Sequence, residues 1–279
     1  MTNFLLGNET AIRLACFFGM LALMMVLELT APRRALSQSR AVRWYANLGI
    51  VALNTALLRL VFPIAGVGLA MLTADRGWGL FNNLAVPYWL AVGASVAILD
   101  LAIYLQHVMV HAVPLLWRLH RMHHADQDID VTTGARFHPL EIVLSMAIKM
   151  AVITALGPPA VAVMIFEVLL NATAMFNHAN FRLPLGLDRC LRLLVVTPDM
   201  HRVHHSLLVQ ETNSNFGFNL PWWDRLLGTY RGQPEKGHQG MTIGIDLFRD
   251  PGTQHLHRML AQPFREETGD YAINRRNRD

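Results

Sequence analysis

The chain has 279 residues, of which 53% are hydrophobic and 16% are charged, so its composition departs from that of soluble proteins toward that of membrane proteins. The formal net charge of +4 is small and scattered along the chain, which gives no basis for nucleic-acid binding. The two cysteines, Cys16 and Cys190, are far apart and form no CxxC motif, which argues against a disulfide framework and against sulfur-based metal or redox chemistry.

The first half of the chain predicts three membrane-spanning helices. A hydrocarbon core of about 30 Å takes about 20 helical residues to cross. Apolar runs of sufficient length lie at residues 10–30, about 46–72 and about 88–113. A cleaved signal peptide carries its positive charge ahead of the apolar run, whereas arginines follow the first run here, so we expect this run to be a retained span.

The loop after the first span predicts the orientation in the membrane. It contains no acidic residue and carries four arginines, Arg33, Arg34, Arg40 and Arg43. Short loops rich in arginine stay in the cytoplasm. We therefore expect a multi-pass integral membrane protein with its N-terminus outside and the inner end of the third span at the cytoplasmic surface. The expected location is a bacterial inner membrane.

Residues 141–178 predict a helical hairpin, because Pro158 and Pro159 in "LGPP" favour a turn between two apolar legs. Residues 180–279 contain no spanning run and predict a cytoplasmic helical cap. The tail after about residue 262 is polar enough to be disordered. The expected fold is therefore all-α, a transmembrane bundle of three spans plus a helical hairpin under a cytoplasmic cap.

Ionisable residues within the apolar segments cost about 2.5–3.5 kcal/mol each to insert, so each is expected to have a partner. Arg59 and Asp100 come to similar depths on antiparallel neighbours, and Lys149 and Glu167 lie at comparable distances from the hairpin turn. We hypothesise that these residues form two intramembrane ion pairs. Asp100 has an alternative role, because it shares a helical face with His107 and could orient a site there.

Nine of the thirteen histidines occur in patterns that bring imidazoles together at one predicted depth. Residues three and four apart share a helix face, so HxxxH and HxxHH each present several nitrogens on one side. Adjacent histidines can also serve two neighbouring ions. In "TPDMHRVHHS", Thr197 can cap a helix that begins at Pro198, which puts the closing HxxHH on its first two turns. The nine are His107, His111, His120, His123, His124, His178, His201, His204 and His205.

This cluster predicts a metal site. No HExxH motif is present, because two valines and a methionine separate His107 from His111, so a zinc protease would lack its general base. A haem would use one or two axial histidines and leave the doublets unexplained. Eight or nine imidazoles suit two ions, and nitrogen ligands fit zinc, iron, copper or nickel alike. A non-enzymatic haem- or metal-binding membrane protein is the alternative from a different class. The other histidines are expected to be surface or hydrogen-bonded residues: His138, His238, His255 and His257.

Between about Asp100 and Tyr230 the sequence resembles the fatty acid hydroxylase and sterol desaturase superfamily of integral-membrane non-haem di-iron oxygenases. The resemblance rests on the histidine boxes and on the sequence segments that contain or follow them: "PLLWRLHRMHH", "FHPLE", "NHANFRLP", "TPDMHRVHHS", "NFG" and "WWDRLLGTY". It implies that the nine histidines bind two iron ions and that no catalytic residue is required beyond these ligands. One departure is Val108, where the family often has arginine.

The resemblance also implies the reaction. Such a centre uses O₂ and two externally supplied electrons to hydroxylate an unactivated C–H bond of a lipid, with desaturation or ether-lipid cleavage as alternatives at the same site. Sterol, hopanoid, fatty acyl, carotenoid and sphingoid lipids all offer such bonds. We accordingly divide the chain into N-terminal transmembrane helices at 1–87, a fatty acid hydroxylase/sterol desaturase catalytic domain at 88–240 and a polar C-terminal tail at 241–279.

The sequence contains no GxGxxG, no CxxCH and no cysteine set for an iron–sulfur cluster, so electrons are expected from a separate redox protein such as a ferredoxin. Arg182, Trp222 and Trp223 are candidates for anchoring a lipid headgroup. Asp100 and Asp199 are expected to support the metal ligands. The cap also carries candidate arginines for docking an acidic electron carrier, Arg189, Arg192, Arg202 and Arg225.

Overall fold

The computed structural model describes residues 2–265 and 269–273, and these residues form helices joined by short loops. Two isolated β-bridges, Pro32 with Phe181 and Ser206 with Ile243, tie loop segments together. The expected all-α fold is therefore confirmed for the described residues. Their α-helices are α1 (Thr2–Gly7), α2 (Glu9–Thr30), α3 (Arg40–Val61), α4 (Gly66–Arg76), α5 (Tyr88–Ala112), α6 (Pro114–His124), α7 (Pro139–Leu156), α8 (Ala160–His178), α9 (Leu185–Leu191), α10 (Pro198–His204), α11 (Val209–Thr212), α12 (Trp222–Leu226), α13 (Gly237–Gly240) and α14 (Leu256–Ala261).

Five segments are long and apolar enough to cross a membrane. Four of them are the single helices α2, α5, α7 and α8. The remaining segment, Arg40–Asn82, consists of α3, α4 and the short turn that follows. By length and composition these segments indicate an integral membrane protein, as the sequence predicts.

The five segments run between the same two ends of the bundle. At the end that we call the histidine end, Arg33 after α2 pairs with Asp199, and Arg43 near the start of α3 pairs with Asp126. At the opposite, hairpin end, the chain after α4 packs against the turn between α7 and α8. Because five segments run between these two ends, the start of α2 lies at the hairpin end and the cap lies at the histidine end.

The second apolar run, expected as one span at about 46–72, lies within the candidate span Arg40–Asn82, where it is divided into two helices. α3 ends at Val61 and α4 begins at Gly66. Pro63 lies in the break, where it has no backbone N–H and its ring would clash with the preceding helical turn. α4 then packs closely on the hairpin helices, since a Cβ added to Gly66 would lie 2.9 Å from Glu167 Oε1.

The predicted hairpin is confirmed. α7 ends at Leu156, Gly157 adopts a left-handed conformation with φ of 57°, and Pro159 immediately precedes α8. Glycine is required there both for that conformation and for the close approach of Gly79. A Cβ added to Gly79 would lie 2.2 Å from the backbone nitrogen of Gly157.

One of the two proposed ion pairs is confirmed. Lys149 Nζ donates to Glu167 Oε1 at 2.5 Å between the two hairpin helices. Glu167 is also paired with Arg13 of α2, whose guanidinium lies 2.8 Å from Oε2 and bonds to Glu9 as well. The buried carboxylate of Glu167 therefore joins three helices rather than two.

The proposed Arg59–Asp100 pair is wrong. Arg59 is exposed on α3, whereas the buried Asp100 faces the cap. The carboxylate of Asp100 accepts hydrogen bonds from Trp223 Nε1 at 2.8 Å and from Leu220 N at 3.3 Å. Comparing depths along the spans gave the wrong partner because the cap folds back onto α5. The cap supplies the hydrogen-bond donors for Asp100, and a comparison of the spans alone does not include them.

The cap comprises residues 180–265 and 269–273, and it is more ordered than the sequence suggested. α14 packs on α3, and the carbonyl of Pro263 accepts a bond from Arg118 Nε. Tyr271 is buried and stacks on Trp117 with ring centroids 5.6 Å apart. The expected disorder after about 262 is therefore wrong for residues 263–265 and 269–273, and its remainder, 266–268 and 274–279, lies outside the described residues.

Replacing Glu167 with Gln is expected to destabilise the protein by about 3 kcal/mol, because Lys149 and Arg13 lose a shared counter-ion in apolar surroundings. Lys149→Met should cost less, since Arg13 still pairs with Glu167. Thermal unfolding in detergent measures both effects. The exposed Arg59 provides the control, and Arg59→Gln should change stability by less than about 0.5 kcal/mol. Equal losses in Glu167→Gln and Arg59→Gln would contradict this account.

Candidate metal centre

All nine box histidines converge at the histidine end of the bundle, and each is buried. They form two groups, and within each group one nitrogen per ring lies within 4.8 Å of the others. Group 1 consists of His107, His111, His120, His124 and His204, and group 2 consists of His123, His178, His201 and His205.

The two sequential elements α5 and α6 supply the first two boxes. His107 and His111 lie one turn apart at the end of α5, with ring centroids 5.1 Å apart. α6 begins again at Pro114, whose missing N–H suits the first position of a helix. This break lets α6 turn back, so that Nε2 of His120 comes within 3.2 Å of Nε2 of His107.

The third box follows the predicted helix start. Thr197 accepts a hydrogen bond from Met200 N, and Pro198 is the first residue of α10. The capping prediction is therefore confirmed. α10 is only seven residues long, so its histidines lie close to the capped end and are buried against α8.

Each histidine doublet is divided between the two groups. In α6, His124 belongs to group 1 and His123 to group 2, with ring planes 89° apart. His204, the last residue of α10, belongs to group 1, and His205, which follows it, belongs to group 2. Their ring planes are 86° apart. Adjacent helical residues point about 100° apart, so a doublet reaches two separate points.

Hydrogen bonds at the outer nitrogen hold five of the rings. His107 Nδ1 lies 2.7 Å from Phe216 O, and His204 Nδ1 lies 2.7 Å from Ser214 O. A carbonyl only accepts, so in each ring Nδ1–H donates and the Nε2 lone pair points into the group. The other three contacts join His111 to Asn213 Oδ1, His120 to Glu141 Oε1 and His178 to Ala174 O.

Sequence reasoning did not single out Glu141 or Asn213 as site residues. Glu141 is buried in the first turn of α7, and its Oε1 lies 2.6 Å from His120 Nδ1. The signal was present in "FHPLE", where Glu141 follows His138 by three residues and the proline between them marks the first turn of a helix. Asn213 had no such signal, because it reaches His111 from the loop after α11.

The inner nitrogens fit a pair of metal ions. Nε2 of His178 lies 3.2 Å from that of His123 and 3.1 Å from that of His201. Two nitrogens held about 2.1 Å from one ion at a right angle would be about 3.0 Å apart. Four other box histidines have a buried Nε2 atom with no hydrogen-bond partner: His111, His124, His204 and His205. Unpartnered lone pairs directed at a common point are what a metal site requires.

Four of the box histidines, His123, His124, His201 and His204, are in surroundings that favour neutral imidazole. Burial, followed by the proximity of other imidazoles, lowers the pKa of His123, His124 and His201 well below its usual value. Burial and the neighbouring His120 lower the pKa of His204 to about 3. Neutral imidazole is the form that binds a metal ion.

Buried arginine–carboxylate clusters fix the elements that carry these rings. Arg43 pairs with Asp126 and Asp130 beside the end of α6. Burial alone would raise the pKa of Asp126, but Arg43 and Arg136 lower it to about 2. The carboxylate therefore stays charged, and it locks α3 against the segment after His124.

Asp199 and Asp100, which we expected to support the metal ligands, make no direct contact with a box imidazole in the structure. Asp199 pairs with Arg33 and Arg202, and the one ring near it, 3.6 Å away, belongs to His238 outside both groups. Asp100 binds Trp223 and Leu220 of the cap.

Asp224 supports the loop that orients His107. Its carboxylate accepts the N–H of Phe216 at 2.8 Å and that of Gly217 at 2.9 Å. The carbonyl of Phe216 is the partner of His107, so Asp224 sets the orientation of that ring through one residue of backbone. Asp100 fixes the same loop a few residues farther on, through Leu220 and Trp223.

The remaining histidines lie outside both groups. His138 caps the start of α7 by accepting a bond from Leu140 N, and His238 lies near Asp199. His255 and His257 are exposed. His138, His255 and His257 agree with the expectation that lone histidines serve as surface or hydrogen-bonded residues. His238 does not, because it is buried and neither of its ring nitrogens makes a hydrogen bond within the described residues.

Two of the four candidate docking arginines are buried, which corrects that expectation. Arg192 pairs with Asp188 and Arg202 pairs with Asp199, so neither presents its charge at the surface. Arg189 and Arg225 are exposed. The sequence could not separate the two classes, because the carboxylate partners lie within one helical turn of both buried and exposed arginines.

The three residues expected to anchor a lipid headgroup also differ in exposure. Arg182 and Trp222 are exposed. Trp223 is half-buried, and its indole N–H is committed to Asp100, so it serves the fold rather than the surface. That part of the expectation is wrong.

A cavity of about 270 Å³ lies inside the bundle next to group 1. Its walls come from α2, α3, α5, α7 and α8 and are mostly apolar, including Phe17, Ile103 and Leu170. His107 and His120 line it. An apolar chain in this cavity would therefore contact the histidine group while lying against helices that are long and apolar enough to span a membrane.

Comparison with known proteins identifies the family. A family model described as fatty acid hydroxylase matches residues 92–229. The chain belongs to the fatty acid hydroxylase and sterol desaturase superfamily. The match includes every box histidine, so the two groups are built within the region that defines this superfamily.

Curated members of the superfamily align with most of this chain. An ornithine lipid hydroxylase of Rhizobium tropici is 29% identical over 178 residues, which are 64% of this chain and 51% of that protein. An alkylglycerol monooxygenase of Xenopus tropicalis is 26% identical over 77% of this chain and 47% of its own length. Methylsterol monooxygenase 2-2 of Arabidopsis thaliana is 26% identical over 65% of this chain and 70% of its own length. The chain thus spans about half the length of the first two relatives. No solved structure matches it significantly.

Removing one histidine from either group is expected to lower the metal content of the purified protein. We expect about two ions per chain in the wild type, and a marked loss for His204→Ala in group 1 and for His205→Ala in group 2. Elemental analysis of protein purified without added chelator measures this. His257→Ala, at an exposed position, should retain the wild-type content. Unchanged metal in both box variants would rule out these groups as metal sites.

Proposed function

We propose that this protein is a membrane-bound di-iron oxygenase that hydroxylates or desaturates an unactivated C–H bond of a lipid, using O₂ and two electrons from a separate donor. The observation that carries the proposal is the pair of histidine groups, whose unpartnered nitrogens converge beside an apolar cavity within the bundle. The nine histidines are proposed as the ligands of two iron ions.

The choice of iron rests on chemistry and on the relatives. Imidazole nitrogens accept zinc, copper, nickel or iron, but zinc has no redox chemistry. The relatives named above are a hydroxylase and monooxygenases, which need a redox-active centre. Bound in the two groups, iron would supply the activation of O₂ that attack on an unreactive C–H bond demands.

The protein's own residues would position the ligands and exclude water. Glu141 accepts the Nδ1 proton of His120 and keeps its Nε2 directed inward. Backbone carbonyls of Phe216 and Ser214 do the same for His107 and His204. Because these acceptors are buried, the rings cannot rotate without losing a hydrogen bond that water is not present to replace.

The cavity would determine which carbon reacts. A lipid chain lying along Phe17 and Ile103 would end against His107 and His120. Hydroxylation, desaturation and ether cleavage then differ only in which bond is presented to the centre. The relatives named for an ornithine lipid, an alkylglycerol and a methylsterol are consistent with a lipid substrate for this chain.

We further propose that the cap faces the cytoplasm and that the N-terminus lies outside, in a bacterial inner membrane. The arginine-rich loop between α2 and α3 lies at the histidine end, where the positive-inside rule would place the cytoplasm. The electron donor would then be a cytoplasmic redox protein such as a ferredoxin, and the exposed Arg189 and Arg225 remain candidates for docking it. We retain 88–240 as the proposed catalytic domain, preceded by 1–87 and followed by 241–279.

Cells that express the wild-type chain are expected to contain a lipid that has gained one oxygen or lost two hydrogens, relative to cells that express His123→Ala/His204→Ala. Mass spectrometry of total lipid extracts detects the change. With purified protein, product formation should require O₂ and an added electron donor. A Soret band in the optical spectrum, or identical lipid extracts despite full metal content, would contradict the proposal.

Filling the cavity should abolish turnover without removing metal. Ser145 of α7 lines the cavity, so Ser145→Trp is expected to lower product formation more than ten-fold by excluding the lipid chain. Ala147, two residues farther along α7, is exposed, and Ala147→Trp is the matched control with near wild-type turnover. Equal activity in the two variants would show that this cavity does not hold the substrate.

The proposed topology predicts which positions are accessible from outside the cell. In a Cys16→Ser/Cys190→Ser background, Asp75→Cys at the hairpin end should react with an impermeant maleimide on intact cells. Lys236→Cys in the cap should react only after the membrane is permeabilised. Both native positions, Asp75 and Lys236, are exposed on the protein. The reverse pattern would invert the orientation.

A further inference from the structure

Five large apolar side chains of the cap are exposed next to one another. They lie in the segment after α9 and in α12 with the residue that follows it, and each is between 42% and 73% exposed. Trp222 Nε1 donates to the carbonyl of Leu193 at 2.6 Å, and Arg225 Nη2 donates to that of Arg192 at 3.2 Å, which joins the two segments into one surface. We call this surface the cap patch: Leu193, Leu194, Trp222, Leu226 and Leu227.

The inward face of α12 makes the contacts that hold this helix in the fold. Trp223 donates to Asp100 of α5, and Asp224 accepts the backbone N–H groups of Phe216 and Gly217. The outward leucines of the cap patch add little to these contacts, since more than half of each side chain is exposed. Adjoining apolar side chains of this size are costly to leave in water and mark a contact with a membrane or a protein.

The cap patch is held beside two of the candidate membrane spans. Just before and within α12, Leu220 N and Trp223 Nε1 donate to the carboxylate of Asp100 on α5. Asn219 accepts a hydrogen bond from the hydroxyl of Thr173 on α8. Both α5 and α8 are long and apolar enough to cross a membrane. This part of the cap therefore lies alongside the spans rather than beyond their ends.

These hydrogen bonds set the depth of the cap patch relative to the histidines. Asp100 precedes His107 by seven residues on α5, and Thr173 precedes His178, the last residue of α8, by five. At a rise of about 1.5 Å per residue, the two bonded positions lie about 10 Å and about 8 Å farther into the spans than those histidines. An in-plane membrane helix buries its apolar face about 5–10 Å into the boundary between headgroups and acyl chains, which is a similar depth.

The charges around the cap patch favour the same partner. Residues 182–195 and 220–232, all of which the structure describes, contain two acidic residues, Asp188 and Asp224, and both are buried. Arg189 and Arg225 are exposed in the same segments. Arginine can bury its apolar stem while its guanidinium reaches headgroup phosphates, and tryptophan is enriched at that level of a bilayer. The patch therefore matches a leaflet in both its apolar and its charged parts.

We propose that the cap patch inserts into the lipid leaflet at the histidine end, as an in-plane contact that does not span the membrane. α12 then has lipid on one face, and on its other face Asp224 holds the loop that orients His107. The cap is thus partly embedded in lipid although residues 180–279 contain no spanning run. This placement does not depend on the reaction that the histidine groups perform.

Fluorescence quenching at a single labelled position tests this placement. The full chain, in a Cys16→Ser/Cys190→Ser background, carries Leu226→Cys labelled with the fluorophore NBD and is reconstituted at low density in vesicles of phosphatidylcholine and phosphatidylglycerol. Phosphatidylcholine with a spin label on its acyl chain quenches from the lipid, and iodide on both sides of the membrane quenches from water. We expect strong quenching by the spin-labelled lipid and quenching by iodide about ten-fold weaker than at a position in water.

Two exposed positions provide the matched controls. Lys236→Cys, elsewhere in the cap, is the water control, and Leu60→Cys, at a side chain 82% exposed on α3, is the lipid control. A spin label on the shallow part of the acyl chain should quench Leu226→Cys more than one near its end, because the patch enters one leaflet without crossing it. Leu194→Cys supplies a second patch position if Leu226→Cys fails to reconstitute.

Iodide quenching at the two patch positions equal to that at Lys236→Cys, with little quenching by lipid, would overturn the inference. Protection from iodide without quenching by lipid would also overturn it, and would indicate that a protein covers the patch. Protection that requires an added acidic redox protein would assign the surface to the electron donor. Protection that grows with protein density in the vesicles would assign it to a second copy of the chain.

Discussion

Burial of nine imidazoles in one place is the constraint on which the rest of the structure depends. A ring that is removed from water must be neutral and must find partners for both nitrogens. The outer nitrogens of His107 and His204 find them in the carbonyls of Phe216 and Ser214, in the loop after α11, and that of His120 finds one in Glu141 at the start of α7. The positions of the loop after α11 and of the start of α7 therefore depend on hydrogen bonds to the buried rings. The inner nitrogens remain available to bind metal ions.

The arginines between α2 and α3 have a second use beyond their effect on topology. Arg33, in the loop between these helices, pairs with Asp199 in the first turn of α10, and Arg43, in the first turn of α3, pairs with Asp126 just after α6. A buried ion pair requires accurate geometry, because each charge loses hydration. The Arg33–Asp199 pair, which is partly exposed, connects the loop after α2 to the cap, and the fully buried Arg43–Asp126 pair connects α3 to the segment after α6.

The sequence predicted the features that depend on local pattern and missed those that depend on tertiary contact. Histidine spacing and the Thr197–Pro198 start predicted which rings would meet, because helical geometry fixes neighbours three and four apart. The Lys149–Glu167 pair was predictable because a short hairpin sets the register of its legs. Asp100 was assigned the wrong partner, and Tyr271 was placed in a disordered tail, because both contact residues more than a hundred positions away. Asn213 was missed for the same reason.

The division of the doublets has a consequence for how the two groups behave together. His123 and His124 share one backbone segment, as do His204 and His205, yet each pair contributes to both groups. Any ligand that immobilises α10 through one ring also restricts the other, so part of the ordering entropy for the second group is removed in advance. Occupancy of the two groups would then be thermodynamically linked, and such a linkage is equally strong in both directions.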